Sequence, residues 1–274
     1  MDRRVVITGL GAVTPVGERV DEIFTNLMNG HSGVRETTRF DTSRCPVKTS
    51  GEVVGFNPED HGISPRDQRV LDRYQQYALA ASNAALLDAG LDLPRNEIVS
   101  RKKSDQRFQR YGAAIGMAFS STEVLQDQFA KMAEKGTRGV SPRLFNMTLP
   151  NAGTSLLSVR YGLCGPLVTV SGASASGSDS VIAAYDKIRH GRAEVMLAGG
   201  AESPSPRSSS PASRRTTPGP PPARAGPSTA TATARCSARV RPCSSWRSAS
   251  TPSPARPVST ENSSATACAA TPST

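Results

Sequence analysis

Beyond residue 203 the sequence has no leucine, isoleucine, phenylalanine, methionine, tyrosine or lysine. A segment without these residues cannot bury enough apolar surface to offset the entropy of ordering it, so residues 204–274 are expected to be disordered. Proline, serine, threonine, alanine and arginine dominate there instead. Nine arginines face one acidic residue, Glu261, so eight of the chain's ten net positive charges lie in this tail. The arginines are scattered and the single tryptophan, Trp246, is the only aromatic among them. That pattern lacks the aromatic interleaving of a nucleic-acid-binding arm, and no nucleic-acid partner is expected.

Metal-ligand spacing is also missing. The five cysteines, Cys45, Cys164, Cys236, Cys243 and Cys268, form no CxxC or Cys/His pattern, so neither a metal nor a cofactor is expected. An odd cysteine count in an enzyme-like body suggests a reducing compartment, and the expected location is cytoplasmic. The apolar runs are too short to span a bilayer. Met1-Asp2-Arg3-Arg4 leads straight into a strand pattern, with no signal-peptide core, and no membrane association is expected.

Residues 1–203 read differently. Apolar spacing predicts strands at 5–8, 111–117, 167–170 and 194–198. It predicts helices at 20–28, 70–89, 122–134, 151–160 and 178–190. Residues 31–66 carry Gly, Pro and Asp punctuation and read as irregular. Alternating strands and helices imply an α/β fold with a mainly parallel sheet covered on both faces.

Residues 165–178 are the most informative stretch. Gly165 and Pro166 make a turn, 167–170 is a buried strand, and a run of small residues leads into a helix. A side chain such as Ser174 would then stand at a helix N-terminus, where unpaired backbone N–H groups favour developing negative charge. Nucleophile elbows are built this way. The same residues also suit a crossing where a helix packs close to a sheet, and spacing alone leaves both readings open. Gly9-Leu10-Gly11-Ala12-Val13-Thr14 imitates a dinucleotide-binding turn, but the third glycine and the following acidic residue are missing.

Gly172-Ala173-Ser174-Ala175-Ser176-Gly177 resembles the nucleophile motif of β-ketoacyl-acyl carrier protein synthases, usually Thr-Ala-Cys-Ala-Ser-Gly. Other segments agree in order: Arg4-Val5-Val6-Ile7-Thr8-Gly9-Leu10-Gly11 with Thr14-Pro15-Val16-Gly17, then Arg39-Phe40-Asp41, then Asp72-Arg73-Tyr74-Gln75-Gln76-Tyr77-Ala78 with Leu87-Asp88-Ala89-Gly90-Leu91. Tyr161-Gly162-Leu163-Cys164-Gly165-Pro166 and Ala198-Gly199-Gly200-Ala201-Glu202 complete the set. The resemblance implies a thiolase-like layered fold, with 1–203 as roughly its first half.

It further implies acyl transfer and decarboxylative condensation in fatty-acid or polyketide synthesis. The implied partners are acyl carrier protein bearing acyl or malonyl groups, and a second ketosynthase chain as homodimer or heterodimer. Ser174 stands where the family has its catalytic cysteine, and Gly172 departs from the usual threonine. Serine is far less acidic than cysteine and needs an adjacent base. The family's two histidines come from its second half, and His31, His61 and His190 match neither motif. Ser174 is therefore a weakened acyl acceptor, the mark of a non-condensing partner subunit such as a chain-length factor, or a sequence change. Ser176 and Ser178 read as hydrogen-bonding residues of the helix start. Cys164 falls in the turn before the strand and is not taken as the nucleophile.

The tail has two readings. Back-translated with GC-rich codons and read from the third base, 206–214, 225–234 and 236–247 give peptides resembling family segments in family order. A frameshift between about residues 203 and 206 would produce this, and the chain as written would then be inactive. The other reading is a genuine low-complexity linker.

Overall fold

The computed structural model describes residues 4–39, 42–43, 45–91, 106–203 and 271–273. Phe40 and Asp41 of one family-like segment fall outside these residues, as does the tail from 204 to 270. In chain order the strands are β1 (Arg4–Val6), β2 (Val34–Glu36), β3 (Thr49–Gly51), β4 (Tyr111–Gly116), β5 (Leu167–Val170), β6 (Val195–Gly200) and β7 (Thr271–Ser273). The α-helices are α1 (Val20–Met28), α2 (Pro65–Gln68), α3 (Arg73–Asp88), α4 (Thr122–Lys135), α5 (Leu144–Thr148), α6 (Ala152–Tyr161) and α7 (Ser176–Arg189).

The central sheet has the order β5-β4-β6, and both pairings are parallel. Side chains alternate across it, as strand geometry requires. Ala114, Met196 and Ala198 face Ala184 and Ile188 of α7. Ala113, Ile115 and Leu197 join the larger core with Leu157 and Tyr161 of α6 and Tyr77 of α3. The expected two-sided burial is present at β4 and β6, whereas 167–170, expected to be buried, is an edge strand with Leu167 exposed and the rest half-buried.

α3 is buried nearly all round, with Tyr74, Tyr77, Leu79 and Leu86 at 0–1% exposure. Its alanines let a neighbouring chain approach closely. A Cβ on Gly11 would sit 2.6 Å from the Ala85 amide nitrogen, and one on Gly9 2.7 Å from that of Ala89. These two glycines therefore serve packing against α3, which accounts for the spacing that imitates a dinucleotide turn.

α3 starts at Arg73, three residues later than the apolar pattern predicts. Asp72 accepts the Tyr74 amide proton and Gln75 reaches back to the Asp72 amide, a reciprocal cap that fixes the boundary. Within 31–66, β2 and β3 form a short antiparallel hairpin, and α2 and a 3₁₀ turn at Pro58–His61 follow. Three-residue strands carry too little alternation to be read from sequence. β1 pairs antiparallel with β7, the described part of the tail.

Candidate active site

The parallel strands β4, β5 and β6 end together, and the chain segments leaving them meet there. Open α/β sheets place ligands at this carboxyl edge. Ser174 lies in a 3₁₀ turn, Ala173–Ala175, directly between β5 and α7. Its side chain is exposed. Ala173 has φ of +53°, one of two described non-glycine residues in the left-handed region. Such a conformation costs of order 1 kcal/mol or more, so the surroundings must hold it.

Ser176 does much of the holding. Its Oγ accepts the Gly172 amide proton at 2.9 Å. Its own proton goes to the Ala173 carbonyl at 2.6 Å, with the Met117 carbonyl at 3.2 Å as a second acceptor. The turn is thereby tied to the end of β4. One turn further along α7, Ser180 Oγ lies 2.8 Å from the Gly199 carbonyl of β6. The Gly116 Cα faces the Ser176 carbonyl so closely that a Cβ there would overlap it. Both readings of the small-residue run thus hold: a side chain is presented at a helix start, and that helix crosses the sheet in close contact.

The side chain of Ala175, at the N-cap of α7, provides no cap. The acidic residue in its first turn is Asp179. A Cβ added to Gly172 would overlap Asp179 Oδ2 and would lie 3.6 Å from Asp179 Cγ and 3.8 Å from the Ser176 amide nitrogen. The Asp179 carboxylate thus occupies the place of a side chain at 172. Sequence reading missed this contact, because it joins residues on different elements.

Glu202, just past β6, ties to the segment that follows β4. Its carboxylate accepts the Ala118 and Phe119 amide protons at 2.6 and 3.1 Å, and burial pushes its carboxyl above the ordinary value. Asp72 lies deeper. One oxygen caps α3, the other is buried without a hydrogen-bond partner, and loss of solvent pushes the carboxyl up to about 6, helped by the nearby Glu123 charge. Burial likewise pushes the Tyr74 phenol up to about 12.

The histidines make their contacts with residues other than Ser174. His190 caps the far end of α7, about 21 Å along a helix of 14 residues. His61 pairs with Glu18 at 2.7 Å and stacks on Phe56, and His31 contacts Asn26 at 3.0 Å. Cys164 is exposed in the turn before β5. Ser176 makes the hydrogen bonds expected of a helix start, whereas Ser178 is exposed. Among the described residues no group of three His, Cys, Asp or Glu side chains is placed to hold a metal, and no helix is long and apolar enough to cross a membrane.

A family model described as the N-terminal domain of β-ketoacyl synthase matches residues 2–218, reaching past the compositional boundary at 203. A curated relative, 3-oxoacyl-[acyl-carrier-protein] synthase 2 of Staphylococcus aureus strain N315, is 34% identical over 203 residues. The match covers 74% of this chain and 46% of that protein, so the chain spans about half its relative's length. Two solved structures are similar in fold. One is the ishigamide ketosynthase/chain length factor, at TM-score 0.64 and 28% identity, covering 76% of this chain and 49% of that one. The other is a type II polyketide synthase acyl carrier protein in complex with its ketosynthase bound to the hexaketide, at TM-score 0.61 and 26% identity, covering 76% and 54%.

Proposed function

Because this chain belongs to the β-ketoacyl synthase family, as its N-terminal domain, we propose that it is the acyl-receiving half of a condensing protein of fatty-acid or polyketide biosynthesis. The observation that carries this reading is the Ser174 turn, held between β5 and α7 at the carboxyl edge of the sheet. In that role the Ser174 hydroxyl attacks the thioester carbonyl of an acyl group delivered by acyl carrier protein. A C–O bond forms, the C–S bond breaks, and the carrier leaves as its thiol with the proton. A malonyl unit then loses carbon dioxide, and the resulting carbanion attacks the acyl carbon and frees the serine.

A hydroxyl needs a base for the first step, and none of the three histidines hydrogen-bonds Ser174. The base belongs to the second half of the fold, whose length this chain lacks relative to its curated relative. We take 204–274 to be the frameshifted start of that half, and the protein to work in the cytoplasm. An intact version would dimerise with itself or with a related ketosynthase chain. The likeness to a ketosynthase/chain length factor structure and the serine at 174 favour a second reading, a non-condensing subunit paired with an active one.

The test compares acyl transfer from acyl carrier protein and malonyl condensation by this chain, by a frame-restored chain, and by a frame-restored chain with Ser174→Cys. Each is assayed alone and with a co-expressed ketosynthase. The expected result is no condensation by the first, acyl transfer to Ser174 with weak condensation by the second, and full condensation only by the third. Robust condensation by the first would overturn the reading, because the catalytic groups of such a site act as a unit. Condensation by the partner only when this chain is bound would establish the second reading.

A further inference from the structure

We propose that Glu202 is a positioning residue for Ser174: it acts through the Met117–Ala118 peptide unit, which Glu202 and Ser176 grip from opposite sides. This role rests on the condensing-site reading of the turn and adds what holds the nucleophile in place. The hydrogen bonds run without a break from one side to the other. Glu202 Oε2, two residues past β6, accepts the Ala118 amide proton at 2.6 Å and the Phe119 amide proton at 3.1 Å. The Ala118 N–H and the Met117 C=O belong to one planar peptide unit. That carbonyl accepts from Ser176 Oγ at 3.2 Å. Ser176 Oγ accepts the Gly172 amide proton at 2.9 Å and shares its own proton with the Ala173 carbonyl at 2.6 Å. The unit moves as one rigid plate, so a shift at its N–H is a shift at its carbonyl. A carboxylate at the head of such a chain also strengthens the bonds behind it.

Backbone strain lies at the two ends of this chain. Ser120, at φ +59°, follows Phe119, and Ala173, at φ +53°, follows Gly172. Among the described residues these are the two non-glycine residues in the left-handed region. Such conformations persist only where the surroundings over-determine them. The Ser120 hydroxyl adds a bond to the Thr148 carbonyl at 3.0 Å.

The Glu202 carboxylate has no competing task among the described residues. Its second oxygen, Oε1, is buried without a hydrogen-bond partner, and no ion pair joins it to a cation. Burying a carboxylate is costly unless it is hydrogen-bonded. The two amides are what its placement serves. They sit at the end of β4, which is tied on both sides. The Met117 amide donates to the Val170 carbonyl of β5 at 3.0 Å, and the Ala201 amide, beside Glu202, donates to the Gly116 carbonyl at 3.1 Å.

The experiment uses NMR on the full 274-residue chain, with the Gly172 amide proton as reporter. Its resonance reads the hydrogen bond to Ser176 in the folded state, whatever the overall stability. Glu202→Ala should move it upfield, toward its position in Ser176→Ala. Glu202→Gln keeps an oxygen for both amides and should hold it near the wild-type position. In a Ser176→Ala background Glu202→Ala should leave it where it is, because the link is already gone. The second readout is acyl transfer by the frame-restored chain carrying Ser174→Cys. There Glu202→Ala should lower kcat about tenfold with KM for the acyl carrier protein unchanged, and Glu202→Gln should restore it.

A Gly172 resonance unmoved by Glu202→Ala, or moved equally with and without Ser176, would overturn the proposal. So would failure of glutamine to restore it, and so would an unchanged kcat. Unfolding of the Glu202→Ala chain would overturn it too, since the carboxylate would then serve the whole fold. A frame-restored Ser174→Cys chain that transfers no acyl group with Glu202 intact refutes the functional reading instead. The resonance shifts still decide whether Glu202 sets the turn.

Discussion

At the scale of single residues, the site is held by strain and by buried charge, and each can be measured. Ala173 sits at φ +53°, a conformation glycine adopts freely. Ala173→Gly should therefore leave stability unchanged or raise it by up to about 1 kcal/mol, and Ala173→Val should lower it by about 1–2 kcal/mol, both read by urea denaturation. Ser176→Ala should cost about 1–2 kcal/mol, because it removes the buried hydroxyl that accepts from the Gly172 amide and ties the turn to the end of β4. Asp72 contributes a pH dependence of its own. Its folded value, about 6, lies above the ordinary 3.8, so the folded chain binds more protons than the unfolded chain between those values. Stability should fall as pH rises from about 4 to 6, by on the order of 3 kcal/mol from this group. Asp72→Asn keeps an oxygen to cap the Tyr74 amide, and should flatten that slope and raise stability at pH 7. Denaturation midpoints measured at pH 4, 5, 6 and 7 on both chains check this; an unchanged slope would contradict it.

At the scale of elements, legibility in the sequence followed the length and clarity of each pattern. α1 and β5 have the predicted limits, because a nine-residue amphipathic stretch and a four-residue β-branched run are bounded by clear breaks. β2 and β3 were not legible, since three residues cannot show alternation. The true start of α3 was present as Asp72-x-x-Gln75 but was outweighed by apolar residues before it. At the site, the placement of Ser174 was legible in the strand–small-residue–helix pattern. The contact between Gly172 and Asp179 was not, because nothing local to either residue encodes it. Packing of the 9–11 segment on α3 gives the sharpest element-scale expectation. Gly11→Ala forces a methyl group onto the α3 backbone and should cost about 1–3 kcal/mol with loss of thermal midpoint, whereas Gly30→Ala, with nothing near its Cβ, should cost less and only through its φ of +71°.

At the scale of the molecule, α7 has one face on the sheet and one face open. Ser176, Ser180, Ala184 and Ile188 are buried, while Ile182 and Tyr185 are exposed at 58% and 37%. With this apolar face open, the chain is expected to be less soluble than a variant carrying Ile182→Ser and Tyr185→Ser. Static light scattering against concentration would show this, and identical second virial coefficients for the two would refute it. The order of the sheet has a further consequence, in time. The central strand β4 is synthesised first, yet its neighbours β5 and β6 reach it only across long intervening segments, pairing Ala113 with Leu167 and Tyr111 with Val195. On the ribosome, β4 must therefore wait with both hydrogen-bonding edges open until the chain has passed residue 170, and with one open until it has passed residue 200, and non-local pairing of this kind is slow. Nascent chains arrested before β6 should be degraded or captured by chaperones, and those arrested only after it should resist protease.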